Sequence, residues 1–228
     1  MEILKEIEET AKRTCNPCLE KAKRSGKRII GYFCSYVPEE LIHAAGLIPY
    51  RMRAVESSGT SLGDSYFSST NCTFVRHCLD KGLRGDFDFL DGIIFVNGCD
   101  QSRRLYDNWK YAGIRPEFLY MLPVPYVISD TSLKQYTEEV VKLKEKLGET
   151  FNTNITDEAL HNSISLYNRK RDLLSRISES RKNNLQQHIK EKIKIRINHG
   201  VLIITYGYTS RQTTTCIQSI KRLGIFVS

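Results

Sequence analysis

The chain has 228 residues, 40% hydrophobic and 10% aromatic, which is enough apolar material for the core of one large domain or one and a half average ones. No apolar run nears the roughly 20 residues that span a bilayer, and the charged start Met1-Glu2-Ile3-Leu4-Lys5-Glu6 lacks a secretory apolar stretch, so the reading is cytoplasmic and without a membrane partner. The net charge of +8 lies wholly in residues 151–228, with 13 basic against 5 acidic side chains, so no nucleic-acid partner is expected of the chain as a whole.

Residues 2–24 read as a helix with Ile3, Ile7 and Ala11 on one face, stopped at Gly26. Residues 28–36 read as a first buried strand. Pro38 fits the first turn of a helix, with Glu39 and Glu40 near its positive end, Leu41, Ile42, Ala44 and Ala45 on its apolar side and Gly46 as its stop. A second short strand covers 47–53, and the Ser-, Gly- and Thr-rich stretch 55–70 lacks helical period and reads as a loop. Residues 71–84 return to helix.

The apolar, β-branched run ending Gly92-Ile93-Ile94-Phe95-Val96-Asn97 reads as a buried strand over 89–97. From Cys99 the chain is charged and amphipathic, with no Gly or Pro until Gly113, which predicts a helix. Residues 121–128 read as extended, punctuated by Pro123 and Pro125. Helices follow over 134–147 and 156–182, the second with Thr156 as N-cap and Leu160, Ile164, Tyr167, Arg171, Leu174 and Ile177 at helical spacing. A basic stretch over 190–196, an apolar strand over 201–206 and a short helix over 213–223 complete the chain. This alternation predicts an α/β fold, a mostly parallel sheet with helices on both faces.

Seven cysteines, odd in number and irregularly spaced, point to metal or redox chemistry more than to a disulfide framework. Cys99 falls at a strand's carboxyl end facing a helix start, where open α/β sheets place ligands. Cys72 ends the Ser/Thr loop at the next such junction, with Thr70 or Asn71 available to cap the helix. Together they could begin an iron–sulfur or zinc site, or be two buried cysteines acting as small apolar residues. Cys15-Asn16-Pro17-Cys18 has no second CxxC or His pair and reads as surface helix cysteines. Cys34, in a strand, and Cys78, in a helix, read as core; Cys216 lies on the predicted helix of the basic tail. Glu39, Glu40 and His43 could form an acid/base cluster or simply compensate a helix dipole. Arg103 and Arg104 could clamp a phosphate or form a solvated helix face. Phosphate-binding Gly-rich loops and Gly-x-Ser-x-Gly are absent.

Four ordered phrases resemble one family: Gly31-Tyr32-Phe33-Cys34-Ser35-Tyr36-Val37-Pro38-Glu39-Glu40-Leu41-Ile42-His43-Ala44-Ala45-Gly46-Leu47-Ile48-Pro49; Cys72-Thr73-Phe74-Val75-Arg76; Leu90-Asp91-Gly92-Ile93-Ile94 leading to Cys99-Asp100-Gln101-Ser102-Arg103-Arg104-Leu105-Tyr106-Asp107-Asn108-Trp109; and Asn168-Arg169-Lys170-Arg171-Asp172-Leu173-Leu174. They look like the 2-hydroxyacyl-CoA dehydratase family, which includes benzoyl-CoA reductase subunits and double-cubane cluster proteins, over residues 25–182. The resemblance implies two α/β domains joined by a helical linker, with a [4Fe-4S] cluster, or a double-cubane iron–sulfur cluster, between them. Two of its cysteine ligands fall on Cys72 and Cys99. The third comes from the second domain, of which this chain carries a fragment, Cys216 being the one cysteine left there. On this reading 1–130 is the cluster-binding domain, 131–196 the linker, and 197–228 the fragment of a second domain or a non-native tail.

The activity implied is radical dehydration of a 2-hydroxyacyl-CoA to an enoyl-CoA. An ATP-dependent iron–sulfur activator protein supplies the electron, and a homologous subunit is the other partner. The alternatives are a low-potential ATP-coupled reductase subunit of the same family, or a cluster-free remnant whose basic tail binds a polyanion in a steeply salt-dependent way.

Overall fold

The computed structural model describes residues 10–55 and 57–182. The strand and helix expected over 201–223, with Cys216, lie outside the described residues. Pro17, without an N–H to donate, interrupts the helix expected over 2–24. Asn16 accepts the Leu19 amide at 3.0 Å through its side chain, so a new helix, α1, starts at Pro17 and runs over Pro17–Arg24.

Strand β1, Ile29–Tyr32, is buried at every position. Helix α2 covers Glu39–Ala44 and ends before Gly46, whose φ of +73° is the left-handed turn that favours glycine. Strand β2, Ile48–Arg51, comes next. The loop after it is broken by a 3-10 turn at Gly63–Ser65. Helix α3 is Thr73–Leu83, strand β3 Gly92–Val96, helix α4 Asp100–Tyr111 and strand β4 Phe118–Leu122. The last strand begins three residues before the expected 121–128, and Pro123 and Pro125 keep the segment beyond Leu122 out of the sheet. Helix α5 is Asp130–Phe151, capped by Ser129, whose Oγ accepts the Ser132 amide at 3.1 Å. Helix α6 is Asp157–Lys182, capped by Thr156, whose Oγ1 accepts the Ala159 amide at 3.2 Å.

The sheet is entirely parallel, in the order β2-β1-β3-β4. Ile30 pairs with Gly92, and Ile93 with Leu119. Side chains alternate between the faces. Ile30, Tyr32, Ile94 and Val96 join Leu41 and Ile42 of α2, Leu143 and Leu147 of α5 and Leu160 of α6 in one core layer. Ile29, Ile93 and Phe95 join Val75, Cys78 and Leu79 of α3 with Leu105 and Trp109 of α4 in the other. Trp109 is fully buried, its ring against Gly82 and its Nε1 donating to the Arg115 carbonyl at 3.2 Å. Burying a ring of that size contributes roughly 4–6 kcal/mol at about 25 cal/mol per Å².

Helix α6 is fastened to α2 by polar contacts. Lys170 Nζ meets Glu39 Oε2 at 2.8 Å, Arg171 pairs with Glu40, and His43 Nδ1 lies 2.7 Å from Ser163 Oγ. Glu39, Glu40 and His43 therefore hold α6 against α2.

Candidate functional site

β1 has β2 on one side and β3 on the other, so the chain direction across the sheet reverses between β1 and β3. The carboxyl ends of those two strands bound the crevice in which open parallel sheets place ligands. Phe33-Cys34-Ser35-Tyr36 leaves from β1, and Asn97-Gly98-Cys99 from β3.

Cys99 is the N-cap of α4, with extended backbone (φ −152°, ψ 157°), and its Sγ accepts the Ser102 amide at 3.4 Å. Cys72 is the N-cap of α3. Its own amide donates to Gln101 Oε1, in the first turn of α4, at 3.1 Å. That bond joins the starts of the two helices across a sequence separation of 29 residues. Both Cys72 and Cys99 are exposed.

Cys34 stands in a bend beyond β1, not inside the strand, and is half-buried. Burial pushes its thiol above the ordinary value, against the lowering pull of the Tyr36 backbone; the neighbouring Cys99 adds to the rise. Cys78 is wholly buried in α3, which pushes its thiol far up and makes it core, as expected. In the CxxC, Asn16 and Pro17 serve as cap and first helical residue; Cys18 is exposed on α1, while Cys15 precedes the helix and packs against the core. Arg103 and Arg104 both turn back to Asp100, at 2.6 and 3.1 Å, as a solvated helix face does.

The crevice has ordered walls. Asn97 Oδ1 accepts the Val124 amide at 2.7 Å, and the Asn97 carbonyl accepts the Tyr126 hydroxyl at 2.8 Å, so the segment after β4 is pinned beside the end of β3. Phe33 meets Phe74 of α3 edge-on, with ring centroids 6.2 Å apart. Beside the first turn of α3 lies a shallow groove of about 500 Å³, largely open to solvent and lined by Arg53, Ala54, Val55, Ser57, Thr73, Phe74 and His77.

Two exposed thiols at helix starts, tied through Gln101, are the sulfur donor chemistry of an iron–sulfur centre. No three His, Cys, Asp or Glu side chains gather as a metal-binding group among the described residues. Two thiols are fewer donors than a cluster takes, so the pair alone does not make up such a site. Sequence reasoning singles out Cys72 and Cys99 but not Gln101, Ser57 and His77, which carry no motif; only the 3–4 spacing of Thr73, Phe74 and His77 on one face of α3 hints at the groove.

The sequence profile of "2-hydroxyglutaryl-CoA dehydratase, D-component" matches residues 34–205. A benzoyl-CoA reductase subunit of Thauera aromatica is 34% identical over 155 residues, 65% of this chain and 39% of that protein. The (R)-2-hydroxyglutaryl-CoA dehydratase beta subunit of Acidaminococcus fermentans is 34% identical over 168 residues, 72% of this chain and 44% of that protein. The (R)-phenyllactyl-CoA dehydratase beta subunit of Clostridium sporogenes is 29% identical over 163 residues, 70% and 42%. The chain thus spans less than half the length of these curated relatives.

Proposed function

The chain belongs to the 2-hydroxyglutaryl-CoA dehydratase D-component family, and from that premise we propose that it is an iron–sulfur subunit of a 2-hydroxyacyl-CoA dehydratase-type enzyme. The observation that carries this reading is the bond from the Cys72 amide to Gln101, which joins the starts of the two helices that the exposed Cys72 and Cys99 cap. Cys72 and Cys99 would hold iron of a [4Fe-4S] cluster. When bound, the cluster supplies a low-potential electron to the acyl thioester. Gln101 sets the relation of the two helix starts. Residues 1–130 act as the cluster-binding domain and 131–196 as the linker, the remaining donors coming from residues beyond. A homologous subunit and an ATP-dependent activator complete the system, consistent with relatives named as subunits. Among the described residues no helix is long and apolar enough to cross a membrane, in keeping with a cytoplasmic enzyme.

Equal identity to the benzoyl-CoA reductase subunit supports a second reading, an ATP-coupled reductase subunit. The test is anaerobic reconstitution with iron and sulfide, with iron counted per chain for the parent, Cys72→Ala and Cys99→Ala. Iron retained by the parent and lost in both variants supports the cluster site; iron indifferent to both refutes it. Offering the loaded, partnered enzyme a 2-hydroxyacyl-CoA and an aromatic acyl-CoA then separates dehydration from ring reduction.

A further inference from the structure

Cys72 and Cys99 are short of the thiols that an all-cysteine cluster takes, and the other cysteines do not make up the difference. Cys78 is wholly buried inside α3, and Cys34 packs against the core layer of α2, α5 and α6, away from the layer that holds α3 and α4. Cys15 is half-buried ahead of α1. Cys18 sits on α1, which Lys23 anchors to Asp91 at the amino ends of β1 and β3, whereas Cys99 lies beyond their carboxyl ends. Cys216 is the one cysteine that follows the described residues, so with it the chain still brings three thiols where such a cluster takes four.

The surface around the pair is also uncovered. Phe74, two residues after Cys72, is 43% exposed. Tyr126 reaches the carbonyl of Asn97, two residues before Cys99, and with Val127 and Ile128 it makes an apolar run 67–70% exposed. Exposed apolar side chains therefore flank both thiols, as on a surface that a partner covers.

We propose that a second copy of the chain closes this face, and that Cys72 and Cys99 of the two copies together hold one [4Fe-4S] cluster on a two-fold axis between them. The shared site rests on the iron–sulfur reading and supplies the donors that one chain lacks. A second copy meets the deficit where an unlike partner need not: two thiols are missing, and an isologous contact brings the same two from the other side. Each thiol loses its proton and binds one iron, with no donor left over. The two copies also bring four helix starts to the cluster, two of α3 and two of α4, whose partial positive charge favours its thiolate shell. The Ser102 amide, which donates to Cys99 Sγ at 3.4 Å, adds a hydrogen bond to a ligand sulfur from each side. Phe74 and the run from Tyr126 to Ile128 pass from solvent into the contact.

The test is anaerobic reconstitution of the full chain with iron and sulfide, read by its mass in solution and its iron content. The expected product is a dimer with about two irons per chain, one cluster shared by two copies, which returns to monomer when a chelator strips the iron. Cys72→Ala and Cys99→Ala should each lose the iron and the dimer, while Cys216→Ala should keep both. Val127→Glu, a substitution at an exposed position, should shift the loaded dimer toward monomer by placing an unpaired charge in the contact. A monomer holding about four irons, lost in both Cys72→Ala and Cys99→Ala, overturns the shared cluster and leaves the iron–sulfur reading standing. Loss of the iron in Cys216→Ala does the same, since it places a third donor within one chain. A parent chain that retains no iron, or iron indifferent to Cys72 and Cys99, defeats the iron–sulfur reading and the shared cluster with it.

Discussion

Asp80 is the residue whose removal tests the architecture around the groove most sharply. Its carboxylate is 2% exposed. Oδ1 accepts the amides of Leu62 and Gly63 at 2.8 and 3.4 Å, and Oδ2 meets Arg84 Nε at 2.6 Å. One buried carboxylate thus holds the 3-10 turn against α3, and the fit leaves no slack: a methyl on Gly63 would sit 2.4 Å from the Arg76 carbonyl oxygen. Asp80→Ala strands the Leu62 and Gly63 amides at about 1–3 kcal/mol for each unsatisfied buried group, the longer bond counting least. Breaking a buried pair of this kind costs about 3–5 kcal/mol in all, and the half-exposed Arg84 recovers water. Urea unfolding of the full chain should show the midpoint falling by about 1–2 M. Asp80→Asn keeps an acceptor for Leu62 and should lose less.

The pH dependence of Asp80 has a definite sign. Burial alone would raise its carboxyl, but Arg84 and the two amides hold it below the usual range. Its stabilisation is therefore fully present above the unfolded-state value near about 3.9 and is lost as pH falls through the lower native value. The gap between parent and Asp80→Asn should close in that acid window. A loss under about 1 kcal/mol for Asp80→Ala at neutral pH refutes the claim that this carboxylate holds the turn.

Gly82→Ala drives a methyl to 2.6 Å from the Trp109 ring and should cost about 1–3 kcal/mol by overpacking, with altered emission from the chain's one tryptophan. Gln101→Ala removes the tie to the Cys72 amide; stability should change by no more than about 1.5 kcal/mol while retained iron falls, and unchanged iron binding would show that the tie does not organise the thiols. Brief alkylation of the native, iron-free chain, read by peptide mass, should label Cys18, Cys72 and Cys99 and spare Cys78 until denaturant is added; early labelling of Cys78 would contradict its burial in α3.

Much of the fold is legible because β1 and β3 are short, rich in β-branched residues and buried throughout, and because glycines mark the helix ends. The boundaries that shifted did so for local reasons. Asn16 and Pro17 turn one expected helix into a cap and a restart. The two prolines after Leu122 push the last strand toward the N-terminus. Cys34 reads as a strand residue because the apolar run continues past Tyr32, yet the chain bends at the strand's end. For the site, the positions of Cys72 and Cys99 follow from loop–helix and strand–helix junctions. The Gln101 tie and the Ser57–His77 pair depend on long-range register that periodicity does not encode. Glu39, Glu40 and His43 look chemical in one dimension and prove structural because their partners lie on α6, more than 110 residues away.

The division of the core into two layers has a consequence for engineering. Both helices that begin at the candidate ligand cysteines pack in the layer with Trp109, whereas α2, α5 and α6 occupy the opposite one. Residues 57–111 therefore carry the cysteines, their Gln101 tie, the Asp80-held turn and His77 on one side of the sheet. The thiol geometry can be retuned there by ordinary repacking around Leu79, Leu105 and Trp109. The face that packs against α6 keeps its own ion pairs, with β1 and β3 as the partition that the two layers share.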